Sequence, residues 1–307
     1  MNMTDALRLT DLRGVLKTGE PMARHVSWRA GGRAARFYTP ADLEDLQAFV
    51  VQLPPGEPLL FVGLGSNLLV RDGGFAGTVV LMHAPGLHPQ MLAGRLYAEA
   101  GVAAPKVARF AARHNLAQAE FLAGIPGTVG GALAMNAGCY GGETWDLVER
   151  AVTVDRRGAL RTRARNEFDI GYRHCALRDG RRLGEDEWFA GAWFALRGGD
   201  GDAARGRIRE LLVRRIASQP LALPNAGSVF RNPPGDHAAR LIESCGLKGL
   251  ARGGARVSEK HANFIVNAER RASAADIEGL IEEVRRRVLE QAGVDLVPEV
   301  RIVGDAT

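Results

Sequence analysis

Gly124-Ile-Pro-Gly-Thr-Val-Gly-Gly-Ala-Leu-Ala-Met-Asn-Ala-Gly-Cys-Tyr-Gly-Gly142 is a run built mostly from very small residues. Glycine has no Cβ, so the main chain there can take positive φ and approach a ligand closely. Gly127-Thr128 followed by Val129 to Met135 reads as a tight turn entering a short helix, whose free N–H groups would attract an anion. Phe61-Val-Gly-Leu-Gly-Ser-Asn-Leu-Leu-Val-Arg71 reads as an apolar strand broken by Gly63 and Gly65 and closed by Ser66 and Asn67. Its N–H groups can form a concave nest for phosphate. It has neither the Lys of a P-loop nor the third Gly of a dinucleotide fingerprint. Each loop alone is equally well explained as close packing of two elements. Together they point to one extended ligand with two phosphates, held by main chain rather than by Lys.

The rest of the composition narrows the partners. The chain has 307 residues, 46% apolar and 24% charged, which suits two or three globular domains. No run approaches the ~18 apolar residues of a membrane span, and Met1 to Glu20 has no apolar signal core. Cys139, Cys175 and Cys245 are far apart and odd in number, which suggests neither a disulfide framework nor a metal cluster. The seven His show no metal spacing such as HExxH. A reducing cytoplasm is the expected compartment, and a monomer the expected state. Of the 40 basic residues only four are Lys, and the net charge is +5. The Arg are scattered and aromatic residues are only 6%, so a nucleic-acid platform is not expected. An anionic small molecule suits the charge.

These loops need elements to hold them. Thr39-Pro40 reads as the start of a helix with Thr39 as N-cap, and Leu43, Leu46, Phe49 and Val50 fall on one face. Strands are expected at Leu59 to Val62, Thr78 to Met82, Arg95 to Val102 and Trp188 to Leu196. Ala104 to His114 reads as a helix, and Ala151 to Thr162 as a hairpin around Asp155 to Gly158. Gly198-Gly-Asp-Gly-Asp202 reads as a boundary, after which Ala204 to Ser218 forms a basic amphipathic helix. Asp236 reads as the cap of a short helix ending at Gly246, and Asn263 to Asn267 as a strand. Ser273-Ala-Ala-Asp276 has the form of a capping box opening a helix to Gln291, with Gly293 past its end. Val300 to Val303 reads as a last strand.

Eight motifs then appear in one order: Ser27-Trp-Arg-Ala-Gly-Gly32, Gly63-Leu-Gly-Ser-Asn67, Gly124 to Gly131, Asn136-Ala-Gly138, Gly171-Tyr-Arg173, Gly227-Ser-Val-Phe-Arg-Asn-Pro233, Ser258-Glu-Lys-His-Ala-Asn-Phe264 and Pro298-Glu-Val-Arg301. From about residue 20 onward the chain closely resembles the UDP-N-acetylenolpyruvoylglucosamine reductase (MurB) family. The spacing from Tyr97 to Gly198 leaves no room for the extra tyrosine-bearing loop of the family's longer form, so the shorter form is expected. The resemblance implies an α+β fold: a two-part, p-cresol methylhydroxylase-like FAD domain and a smaller C-terminal α/β substrate domain. The expected units are 1–85, with 1–20 as a lead-in, then 86–200 and 201–307. FAD would be held non-covalently, NADPH would reduce it, and the enolpyruvyl ether of UDP-N-acetylglucosamine would become UDP-N-acetylmuramate.

The resemblance also assigns residues. Arg173 matches the family's catalytic Arg, a guanidinium able to hold and polarise a carboxylate. Ser228 matches the proton donor and Glu299 the catalytic Glu. Cys175 stands where Ser is usual. Cofactor contacts are expected from Gly63, Leu64, Gly65, Ser66 and Asn67, from Gly124, Ile125, Pro126, Gly127 and Thr128, and from Gly131, Asn136, Ala137 and Gly138. Substrate contacts are expected from Tyr172, Arg231, Asn232, Lys260, His261 and Asn263, and no metal is expected. Two alternatives remain beside this reading. A flavin-dependent sugar-alcohol oxidase would share the glycine loops without needing Ser228, Arg173 and Glu299. A binding protein would hold FAD or a nucleotide without turnover.

Overall fold

This computed structural model describes residues 10–306. Most of the expected lead-in's first half lies outside the described residues. Its second half is a strand: Val15–Pro21 pairs antiparallel with Arg33–Thr39. Phe75–Leu81 and Leu59–Val62 continue that sheet in parallel register. Helix α1, Leu43–Val51, buries Leu46, Phe49 and Val50 against Tyr38 and Val80. Its N-cap is Asp42 rather than Thr39. Thr39 is still paired with Val15 in the sheet, so the chain stays extended until Asp42, whose Oδ1 accepts from Asp45 N at 2.9 Å.

A second sheet of five antiparallel strands runs in the order Leu160–Ala164, Val148–Asp155, Glu187–Phe194, Arg95–Glu99, Gln90–Leu92. The strand from Arg95 stops at Glu99, short of the expected Val102. At Gly101 the chain passes against the Met82 carbonyl, where a Cβ would collide. Helices α2, Ala104–Arg113, and α3, Val129–Ala134, cover this sheet. Helix α4, Gly201–Ser218, is capped by Asp200 and packs Ala204 and Ile208 into the same core.

The last third has its own core. Helix α5, Ala238–Ser244, and helix α6, Ala274–Ala292, pack on a sheet of Ala251–Arg252, Ala255–Val257 and Ile265–Val266. Helix α6 opens on the expected Ser273/Asp276 capping box and ends on Gly293 at φ 69°. Two other expectations are corrected. His237 sits at the N-cap of α5, and it is Asn232 Oδ1 that accepts from Ala238 N at 3.1 Å. Only Ile265–Val266 of the expected 263–267 strand pairs, because Asn263 bonds the main chain of Phe230.

Two ties bind this core back to the N-terminal part of the chain. Trp28 is fully buried in it, with Nε1 donating to Ile265 O at 2.8 Å. The final strand, Arg301–Val303, lies parallel to Leu68–Val70. That return brings Glu299 to the glycine loop ending at Asn67. Among the described residues, no helix is long and apolar enough to cross a membrane, and no group of three or more His, Cys, Asp or Glu could hold a metal ion.

Candidate active site

The two glycine loops face each other across one cleft. Gly65 turns at φ 59°, and a Cβ there would collide with the main chain of His25 and Val26. A Cβ on Gly63 would collide with the Thr128 side chain, so the loops can meet only because glycine stands there. The cleft has a volume of about 430 Å³ and is walled by Gly63 to Asn67, Gly124 to Thr128, Gly131, Ala137 and Gly138. The start of α3 differs from expectation. Val129 N donates to Val102 O at 2.8 Å and Gly130 N to Ala100 O at 2.9 Å, so these two N–H groups are committed to the neighbouring strand end.

Arg173, Ser228 and Glu299 reach the same cleft from three separate segments. Phe168–Gly171 and His174–Leu177 form a hairpin with Arg173 in its turn at φ 53°. This left-handed conformation costs a non-glycine residue about 1 kcal/mol or more. Arg173 Nε donates to Glu299 Oε1 at 2.8 Å, and Nη2 donates to Gly138 O at 3.0 Å. Its guanidinium lies over the Tyr172 ring, 4.9 Å from the centroid. Glu299 is placed by main chain: its N–H donates to Val229 O at 2.7 Å, and Asn67 Nδ2 donates to its carbonyl at 3.1 Å. Arg231 N donates to Val297 O and Phe230 bridges Pro298, so residues 229–231 run antiparallel to 297–299, with Val229 opposite Glu299 and Ser228 one residue further along. Burial pushes the Glu299 carboxyl above its usual range, and Arg173 opposes the shift without cancelling it.

The expected residues divide clearly. Every expected cofactor residue except Asn136 lines the cleft. Asn136 is 1% exposed and lies behind the wall. None of the six expected substrate residues lines it. Lys260 Nζ donates to Ile216 O at 2.6 Å, at the end of α4. Asn263 is buried, with both amide atoms on Phe230, and Asn232 caps α5. Arg231 bears electrostatically on Glu299 from outside the cleft. Tyr172 supports Arg173 from below, and the His261 ring stands edge-on to Phe264, which does line the cleft.

Sequence reasoning missed Arg215, Gln219 and Arg301, all of which line the cleft. Arg215 Nε donates to Gln219 Oε1 at 2.9 Å, an i,i+4 pair at the end of α4. Arg301 is two residues beyond Glu299 in an extended segment, and the period-two alternation of such a segment was the available signal. Cys139 also lines the cleft, where burial pushes its thiol up to about 11. It is a neutral small side chain there.

Known proteins show the same organisation. Residues 34–163 match the family profile of an FAD-binding domain, and residues 219–303 match that of the UDP-N-acetylenolpyruvoylglucosamine reductase C-terminal domain. The chain is thus a flavin-binding protein of the oxidoreductase class. It is 58% identical to the UDP-N-acetylenolpyruvoylglucosamine reductase of Thiobacillus denitrificans, over 96% of this chain and 94% of that one. It is 52% identical to that of Legionella pneumophila strain Paris, over 98% of both chains. The crystal structure of the Thermus caldophilus enzyme (MurB) superposes with a TM-score of 0.77 at 31% identity, over 95% of this chain and 99% of that one. The chain belongs to the UDP-N-acetylenolpyruvoylglucosamine reductase family.

Proposed function

We propose that the protein uses FAD and NADPH to reduce the enolpyruvyl ether of UDP-N-acetylglucosamine to UDP-N-acetylmuramate, a step of peptidoglycan precursor synthesis. Family membership supports the reaction. The observation that carries the residue roles is one guanidinium, one raised carboxyl and one hydroxyl converging on a cleft walled by glycine loops. The cleft fits the flavin nucleotide. A Cβ on Gly131 would meet nothing nearer than Thr128 Oγ1 at 3.8 Å and would project into the space a ligand needs. Gly63 to Asn67 and Gly124 to Thr128 would hold the cofactor mainly by main-chain N–H groups. Three free thiols suit a reducing cytoplasm.

When bound, the flavin supplies hydride to the terminal enol carbon, with NADPH restoring it. Negative charge then builds on the substrate's carboxylate end. Arg173 lines the cleft and can exchange part of its contact with Glu299 for the substrate carboxylate. Glu299, biased by burial toward its protonated form, can donate a hydrogen bond to the growing enolate oxygen. Ser228 gives its hydroxyl proton to the carbon bearing the carboxylate. An enolate is basic enough to take a proton from an ordinary serine, so placement matters more than activation. Anaerobic rapid mixing tests this reading. NADPH should bleach a yellow, acid-releasable flavin, and the enolpyruvyl nucleotide should restore the colour. A colourless protein, or a reduced flavin that ignores the nucleotide, would sink it.

A further inference from the structure

We infer that Asn136 is a positioning residue for Arg173, acting through the main chain of the hairpin that carries it. Asn136 follows α3 at φ 39°, in the left-handed conformation common just past a helix end. Glycine would satisfy that backbone role alone. The side chain does something more. Its Nδ2 donates to Glu143 Oε2 at 2.8 Å and to Gly171 O at 3.1 Å, while its Oδ1 accepts from Trp145 N at 3.1 Å. The amide is buried and all three bonds are internal, so its orientation is fixed by its neighbours.

The bond to Gly171 reaches the tip of the Arg173 hairpin. Two ties cross there in opposite senses: Asn136 donates to Gly171 O, and Arg173 Nη2 donates back to Gly138 O. The two ties are two residues apart on each chain. The second must loosen whenever Arg173 turns toward a substrate carboxylate, and the first does not. Asn136 therefore holds the turn while Arg173 changes partners, and keeps its left-handed backbone in place. At the hairpin base Trp145 packs on Phe168, with ring centroids 4.6 Å apart. Asn136 also holds the Trp145 main chain, so one amide links both ends of the support. This inference rests on the reductase reading and on the role given there to Arg173.

Asn136→Gly keeps the permitted backbone and removes only the clamp. In the FAD-loaded enzyme the NADPH half-reaction should stay within about twofold of wild type. Flavin re-oxidation by the enolpyruvyl nucleotide should slow roughly 10- to 100-fold, the scale of an ångström-level misplacement. In an Arg173→Ala background the same change should slow re-oxidation by less than about threefold more. Amide exchange in residues 168–177 should accelerate, with the strand Val148–Asp155 unchanged. Equal loss in both half-reactions, a full further loss in the Arg173→Ala background, or unchanged exchange in the hairpin would overturn the inference. If wild-type reduced enzyme ignores the enolpyruvyl nucleotide, the reductase reading falls and the inference falls with it. If wild type turns over and Asn136→Gly matches it, only the inference falls.

Discussion

Two Arg–carboxylate clusters in this molecule use the same chemistry to different ends. Arg163 is 4% exposed and Glu187 is fully buried. Both Glu187 oxygens accept from Arg163, at 3.1 and 2.8 Å, and Thr153 adds a hydroxyl at 2.7 Å. Glu167 and Asp179 take further Arg163 N–H groups at 2.9 Å each. Burial opposes ionisation of Asp179, but bonds from Arg181 and Arg163 still pull it down to about 2. Arg173 has one carboxylate, one carbonyl and an open side toward the cleft. There burial wins, and Glu299 is pushed up. A cluster whose donors are used within the fold has little left to offer a ligand. A cluster left incomplete at a cleft can finish its coordination with substrate. The first should lose stability when broken, the second should lose rate.

The largest effect belongs to the open corner. Ser228→Ala should leave flavin reduction by NADPH near normal and slow re-oxidation by the enolpyruvyl nucleotide on the order of 10³-fold, within the range of general acid catalysis. Its thermal midpoint should barely move. Rapid-mixing absorbance of the reduced flavin decides it: re-oxidation within tenfold of wild type would remove Ser228 from the proton-donor role.

The saturated cluster should respond in the other currency. Arg163→Leu leaves Glu187 buried beside fewer cations and should cost about 3–5 kcal/mol of stability in denaturant titration. Arg163→Leu with Glu187→Leu removes the orphaned charge and should recover a large part of that loss. A double variant no more stable than the single one would contradict this account of the cluster. Near-normal stability in Arg163→Leu would erase the contrast with Arg173.

How much of this was readable beforehand depends on where the chemistry resides. The glycine wall of the cleft was legible because main-chain chemistry is written as glycine, and Gly63, Gly65, Gly124 and Gly130 stand where a Cβ would collide with a neighbour. The capping box at Ser273 was legible because its bonds are local. Arg173 is one of 36 Arg, and only its resemblance to a known motif singled it out. Asn232, Lys260 and Asn263 stand off the cleft wall for a physical reason. A polar side chain in a loop can bond main chain as readily as ligand, and these three bond the main chain of Ala238, Ile216 and Phe230. Arg215 was hidden in a helix rich in charge, since amphipathic spacing does not say which cation turns inward.

The smallest effect is the most diagnostic of the open cluster, because it depends on the sign of one titration. Burial raises the folded-state pKa of Glu299 above its ordinary value of 4.5. The stability this group contributes is then fully present below that ordinary value and is lost as pH rises through the folded value. Glu299→Gln lacks the titration. Its denaturation midpoint, compared with wild type, should therefore improve steadily from acid to neutral pH, even if it is lower overall through loss of the bond to Arg173. The wild-type rate of flavin re-oxidation should fall over the same window as the carboxylic acid ionises, and Glu299→Gln should be slower but flat. The opposite slope in the denaturation comparison would mean that the pairing with Arg173 outweighs burial. Glu299 would then stand ionised at rest, and the acid in the reaction would have to be Ser228 alone.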